Sequence, residues 1–490
     1  GTGNATPYYQ DITFKVNIPT KKYGTFSWFG LGGESHVTFP AVDKENLYVT
    51  NDGSLRERKF VSLTGVTGFS HSYFFTPTTQ GKLTLAVSGL DVDYKETFYK
   101  TVPDSIAFSK KNVQIKYSVG YTINKKFNAK NQLTIGTNAD FNDLKLRNDH
   151  IPNGSSTLTI LYDTKAHGTL LKSFANYAYR FTDKLSSNIG IYHQLFTLNN
   201  KQSIEPRFNI KHQLKPNQSI SFGIGLHSQI QPLEYYFYES TNNLAQIELT
   251  NKNLDFNKSW HAVIGYDISC SKNLRVKAEV YGQSIFNVAV EKTPTSFSLL
   301  NSGADFYFPS KTNLFNNGEG YNYGVELTVE RFLHKGFYFL FTSSLFNSQY
   351  KGSDNVWRNT AFNSGFTSNF LTGKEFAINK KSSIGIDTKI AWAGGQYYTP
   401  FDIATSKQKG YVVLKNTEAY SLQNPNYLRW DLKFAYNRNG KKTTQKWYID
   451  LQNITNRKNV YIRTLTPSTG KISTIYQIGF FPNINYQITF

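Results

Sequence analysis

Residues 113–124 read VQIKYSVGYTIN and alternate without a fault. Val113, Ile115, Tyr117, Val119, Tyr121 and Ile123 fall on one parity. Gln114, Lys116, Ser118, Gly120, Thr122 and Asn124 fall on the other. In a strand, successive side chains point to opposite faces. One face here is wholly apolar and aromatic, and the other is polar with a central lysine. A chain that repeats this pattern builds a sheet with different surroundings on its two sides.

The pattern recurs. KLTLAVS sets Leu83, Leu85 and Val87 against Lys82, Thr84 and Ser88. SISFGIGLH, YGVELTVE and LRWDLKFAYN do the same from Ser219, Tyr323 and Leu428. Such period-two runs indicate half-buried strands. About 19 are counted, starting near Tyr8, Gly24, Glu57, Gly81, Asn112, Asn131, Thr169, Ser186, Ser203, Ser219, Lys258, Leu274, Asn322, Gly336, Phe362, Ser382, Leu428, Gln445 and Ile484. Helical periodicity beyond two turns is almost absent.

The connections alternate in length. Tight links such as PTKK, PTTQ, TDK, KPNQ, SKN and LHK are interleaved with long ones, near 40–56, 96–111, 144–168, 232–253, 291–321, 393–427 and 454–483. The exception is a short link near Asn199–Gln202. Short turns on one side and long loops on the other describe an up-and-down meander, the loop asymmetry of outer-membrane barrels. A sandwich needs Greek-key crossovers. A propeller needs a repeat of about 40–50 residues, which is not found.

Composition agrees. The longest clear apolar run, FYFLF, is about five residues, whereas a spanning helix needs about 20. The 33 tyrosines and 38 phenylalanines argue against disorder and suit interfacial girdles. Trp28, Trp392, Trp430 and Trp447 fall near strand ends. No linker divides residues 1–490, which read as a single domain. The net charge is +20, with basic residues scattered along the chain. A nucleic-acid partner calls for a basic stripe, so the lysines are assigned to solvated loops or to anionic lipid headgroups. The expected fold is therefore all-β: a transmembrane antiparallel up-and-down β-barrel. Val113, Ile115, Val119 and Leu432 face lipid, and Lys116 faces the lumen.

The terminal INYQITF alternates and stops on Phe490, which resembles the assembly signal of outer-membrane barrel proteins. YYQDITFKVNIPTKKYGTFSWFGLGG, YGVELTVERFLHKGFYFLFTSSLFNSQYKG, VWRNTAFN and DLQNITNRKNV, with YQITF at the end, resemble the barrel of TonB-dependent outer-membrane receptors. The nearest resemblance is to the Bacteroidetes group with a carboxypeptidase-regulatory-like domain before the plug. It covers essentially the whole chain. It implies a multi-pass protein of a Gram-negative outer membrane that takes up an extracellular ligand. The implied partners are lipid, lipopolysaccharide, a plug domain, a TonB-type energy-coupling protein and, as an open question, a surface lipoprotein. The resemblance also implies 22 strands, of which about 19 are present. The chain has no methionine and is expected to be a piece lacking the plug and first strands. A seam is then expected between Asp11–Asn17 and Ile484–Phe490, with an empty lumen and no pairing of Thr13 with Tyr486. A passive porin-like channel, or a barrel-based adhesin or enzyme, stands as the alternative.

Catalytic and metal signatures are missing. No H-E-x-x-H or phosphate-binding loop occurs, and Gly30–Gly33 lies within a strand. Lone His71, His193 and His227 read as lumen or loop residues. Asp91, Asp93 and Glu96 read as solvated. No cofactor, metal or catalytic residue is expected. Asn453, Asn456 and Arg457 read as structural groups at an upper rim. Ligand binding is assigned to Trp357, Arg358, Tyr397 and Tyr398, which join flat rings to fixed polar groups on the extracellular side.

Overall fold

A computed structural model describes residues 7–40, 56–98, 106–151, 157–241, 244–302 and 309–490. Nineteen long strands follow one another: β1 Tyr8–Thr20, β2 Gly24–Phe39, β3 Arg56–Thr76, β4 Thr79–Phe98, β5 Ile106–Lys126, β6 Asn131–His150, β7 Thr159–Arg180, β8 Leu185–Phe196, β9 Lys201–Lys215 and β10 Gln218–Gln229. The second half is β11 Asn257–Ser271, β12 Leu274–Glu291, β13 Leu314–His334, β14 Phe337–Lys351, β15 Phe366–Asn379, β16 Ser382–Ala393, β17 Tyr427–Asn439, β18 Thr444–Gln452 and β19 Phe481–Thr489.

Each strand pairs antiparallel with the next, from β1 through β19. With the short strand Trp357–Asn359 on the tip of β14, they form one 20-stranded sheet. This is the wall of an antiparallel up-and-down β-barrel. Thr13 pairs with Leu31 and Tyr486 with Trp447. Among the described residues nothing pairs β1 with β19, as the seam expectation requires.

Register fixes the two faces. Val119 lies between Leu85 and Ala139, and Ser118 between Ala86 and Asp140. Ile115, Tyr117, Val119, Tyr121 and Ile123 are all exposed on the outer face. On the inner face Ser118 donates to Asp140 (2.6 Å), which also takes a bond from Lys172 (2.7 Å). Trp28 and Trp447 sit near the tight-turn ends of β2 and β18, and Trp392 and Trp430 near the long-loop ends of β16 and β17. All four rings are exposed, as in two girdles. His71 and His193 correct the lumen-or-loop reading. His71 stacks on outward Phe26 (4.5 Å), and His193 is in register with outward Ile204.

The tight turns use local chemistry. Lys335 and Gly336 both have positive φ (52° and 73°), as a two-residue hairpin with the twist of its strands requires. A Cβ on Gly336 would lie 2.4 Å from the Glu375 carbonyl oxygen.

Strands β3 to β7 run 20–22 residues, about twice the 9–11 that cross a bilayer. Their surplus extends the wall on the long-loop side. Alternation fades there, which is why the sequence reading starts β5, β7 and β13 late, at Asn112, Thr169 and Asn322. By contrast β8, β9 and β10 have 12, 15 and 12 residues, so the rim steps down beside β7.

The outer face supplies the first test. Val119→Arg is expected to cost about 2–4 kcal/mol in refolding into lipid. Ser118→Arg, facing Asp140 across the inner wall, is expected to be mild. Equal tolerance would invert the assignment of faces.

Candidate functional site

Between β10 and β11, residues 230–238 and 249–256 lie against the inner face of the upper wall. The same face that carries Lys116 and Gln114 on β5 continues upward through Asn112 and Lys110. Gln114 opposes Leu144 and Asn112 opposes Leu146. Leu144 opposes Ala166, and Leu170 opposes Phe196. Leu144, Leu146, Ala166, Leu170 and Phe196 face inward and should meet water, yet all five are buried. Tyr235, Tyr236, Phe237, Tyr238, Leu254 and Phe256 cover them and form one apolar cluster with them.

Polar bonds fix the segment in place. Glu234, 3% exposed, meets Lys110 at 3.3 Å and accepts from Asn112 at 3.1 Å. Burial and the Glu234 carboxylate push the Tyr238 phenol far above its ordinary range, so it keeps its proton. Asn199, in the short link between β8 and β9, donates to the carbonyls of Lys252 and Leu254 (2.9 and 2.8 Å). The expectation of an empty lumen is thus corrected. The sequence reading places 232–253 among the long connections and gives LEYYFYE no inner-wall role. Four adjacent aromatics beside inward Leu144, Leu146 and Phe196 were the missed signal, because a solvated loop has no use for them.

A second layer joins three long loops. Arg358, 8% exposed, makes a two-pronged ion pair with Asp354 (2.9 and 2.7 Å) and donates to the Thr417 carbonyl (3.3 Å). It ties loop 352–365 to loop 394–426. Burial acts to raise the Asp354 carboxyl, but hydrogen bonds from Arg358 and the Val356 amide outweigh it and hold the group below its ordinary value. Tyr397 and Tyr398 pair with Gln423 and Leu422 in a small hairpin. The Arg463 guanidinium lies 5.0 Å from the Tyr398 ring and bonds Asn424 (2.8 Å), which brings in loop 453–480. A short helix, Ile403–Lys409, is capped by the Asp402 side chain on Thr405 (2.9 Å).

The four residues assigned to binding therefore divide. Tyr397 and Tyr398 are half-buried and lie in the loop layer. Arg358 holds that layer together. Trp357 shares the register of Lys351, on the outward parity, and packs on Tyr321 (4.9 Å), which stacks on Tyr323 (6.0 Å).

The rim asparagines are structural, as expected. Asn453 and Asn456 have positive φ (49° and 51°), which asparagine tolerates. Asn453 bonds the Arg457 and Ile478 carbonyls, Asn456 accepts from Phe480, and Arg457 donates to the Asn426 carbonyl. Glu96 pairs with Arg56 and Arg58. His227 lies inward beside His261, with ring centres 4.7 Å apart. Among the described residues no group of three His, Cys, Asp or Glu could hold a metal.

No protein-family model matches the chain, and no curated protein is significantly similar to it in sequence. Solved structures do match. The ferric preacinetobactin receptor BauA from Acinetobacter baumannii is 11% identical, with TM-score 0.62, over 99% of this chain and 72% of its own. The ferric yersiniabactin uptake receptor FyuA from Yersinia pestis is 12% identical, with TM-score 0.65, over 99% and 71%. The ferripyoverdine receptor of the outer membrane of Pseudomonas aeruginosa is 11% identical, with TM-score 0.66, over 99% and 65%. At such identities the likeness is one of fold.

Two outcomes follow from this geometry. Glu234→Ala strands the Lys110 ammonium in a mostly buried place and is expected to cost about 3–5 kcal/mol of local anchoring. Hydrogen exchange should rise in 230–256 and stay unchanged in β13–β19. For the loop layer, the folded Asp354 carboxyl titrates below its ordinary value of 3.8. Its contribution is full above that value and is lost as pH falls through the lower folded one. Protease resistance of 352–365 and 394–426 should hold from neutral pH down to about 5 and fail only below about 3.8. Arg358→Gln should weaken it at every pH.

Proposed function

We propose that this chain is the barrel of an outer-membrane receptor that takes up an extracellular ligand with TonB-type energy coupling. One observation carries the reading. Below the rim the inner wall carries polar groups such as Lys116, Ser118, Asp140 and Lys172, and structured loops, not bare turns, build one rim only. The fold likeness to iron-complex receptors supports it. Their ligands are theirs, and the ligand class of this chain is left open in the proposal.

In this reading the rim faces outward from a Gram-negative cell, and the outer face meets lipid and lipopolysaccharide. Among the described residues the outer edges of β1 and β19 have no partner strand, which supports further strands of the same protein closing the wall, as in a 22-stranded barrel. A plug domain then fills the interior. The sequence motifs favour the Bacteroidetes type, with a carboxypeptidase-regulatory-like domain before that plug. Tyr397 and Tyr398 are the rings proposed to meet the ligand. Arg358 sets the loop layer that carries them, and Trp357 anchors the wall from outside. Catalysis has no part in it.

The test is conductance and uptake by the full-length protein. A gated receptor is closed in a planar bilayer, and its uptake in cells stops when the proton gradient is collapsed. A steady open conductance, with uptake indifferent to the gradient, would select the passive porin instead.

A further inference from the structure

The step between β7 and β8 leaves a strand edge open. Leu170 opposite Phe196 is the uppermost pair between them. From there β7 continues up to Thr159, paired with β6 on one side only. Among the described residues no strand lies on its other side. The Thr197 amide donates to the Thr169 carbonyl (3.0 Å), so the backbone groups of Thr169 point towards β8. An antiparallel ladder alternates them with period two. Those of His167, Lys165 and Asp163 therefore point the same way, into the space above the link from β8 to β9. All three residues are exposed, with 79% of the His167 side chain open to solvent.

The two sides of this edge are unlike. Outward, charged rows on β6 and β7 stand above exposed Phe141: Asp143 opposite His167, Lys145 opposite Lys165 and Arg147 opposite Asp163. The lowest and highest rows are ion pairs (2.6 and 3.0 Å). The middle row sets two like charges opposite each other, which repel, and among the described residues neither lysine has an ion pair. Inward, Tyr162 and Ala166 are buried in the aromatic cluster. A strand laid along this edge would complete the backbone ladder. Its inward side chains would border that cluster, and an outward one would border Lys165. Lysine on an open edge discourages indiscriminate pairing, and here it selects for a carboxylate. A second copy in the same membrane would bring its own Lys165 to the same height, setting like charges against each other.

We propose that the β7 edge from Asp163 to His167 binds an extended segment of another polypeptide, which adds to the sheet as a strand. The segment alternates apolar and polar residues and carries a carboxylate beside Lys165. Backbone hydrogen bonds supply the binding, and the side chains along the edge select the sequence, as in strand addition generally. The site lies on the wall, apart from the loop layer assigned to the ligand.

The test uses the full-length protein in mild detergent and a short synthetic peptide of alternating valine and threonine with one central glutamate. Methyl groups on the amides of one edge stop the peptide from stacking on itself. At about a hundred times its Kd, the amides of Asp163, Lys165 and His167 should exchange about a hundredfold more slowly, with no change at Tyr397 and Tyr398. The peptide methylated on both edges should not bind. His167→Pro removes an amide that points away from β6, a place where a strand edge tolerates proline, and binding should be lost. Lys165→Glu should reverse the preference, so that a lysine-centred peptide binds better by up to about fivefold, the scale of an exposed ion pair. Equal binding of the doubly methylated peptide, or protection confined to 394–426, overturns the edge site, and both results come from the wild-type protein. An unreversed preference in Lys165→Glu overturns the selection for a carboxylate. A dimer that forms without peptide and is lost in His167→Pro marks a second copy as the occupant and overturns the proposal. Uptake has no part in the readout, so the result stands or falls apart from the receptor reading.

Discussion

The interstrand hydrogen-bond ladder is what everything else here depends on. Its period of two ties each residue's face to its neighbour's across eighteen consecutive pairings. A slip of one residue would exchange the faces of an entire strand. The sheet holds its register because that exchange would move Lys116, Asp140 and Lys172 to the outer face and Val119 and Leu85 to the inner one. Hydrophobic patterning chooses the register, and backbone bonding then satisfies the strands between β1 and β19 without help from helices. In lipid only helices and closed barrels satisfy their backbone groups.

The upper wall obeys a different rule. Above the apolar band both faces meet water unless something covers one of them. The alternation of exposed and buried residues along β6 from Asp143 to Asn148 records such a cover. Lys145 and Arg147 stay outside and exposed, while Leu144 and Leu146 are closed in by Tyr235–Tyr238. The cover packs on β6, β7 and β8, beside the step down from β7 to the shorter strands. The short link at Thr197–Asn200 is part of the same design. A long loop there would occupy the place that 230–256 takes, and Asn199 bonds that segment's backbone instead.

Sequence alone yielded the strand number, the order of tight and long connections, the two faces and the structural role of Asn453, Asn456 and Arg457. These features are local. Period two is visible in any window of eight residues, and a turn carries its own Gly, Asn or Pro. The interior segment was not legible, because LEYYFYE meets Leu144 and Phe196 only after the sheet has brought distant strands together. The starts of β5, β7 and β13 were missed for a related reason. Stretches such as FSKKN alternate no hydrophobic face, since their outer side meets water and their pairing alone keeps them extended. Arg358 reads in the sequence as a polar group of a ligand site. Nothing in VWRNT reveals that Asp354 and the Thr417 carbonyl hold it.

The two structured parts of the rim are held by unlike forces. The 230–256 segment buries four consecutive aromatics, each worth about 1.5–3 kcal/mol in transfer from water. To release it, that surface must be exposed all at once. The layer made by 352–365, 394–426 and 453–480 is joined mainly by polar contacts: Arg358 to Asp354 and Thr417, Arg463 to Tyr398 and Asn424, Arg457 to Asn426. Bonds of this kind contribute about 0.5–1.5 kcal/mol each, somewhat more when charged. Water replaces them one at a time. The first part therefore behaves as an extension of the wall. The second can open contact by contact while the wall stays intact.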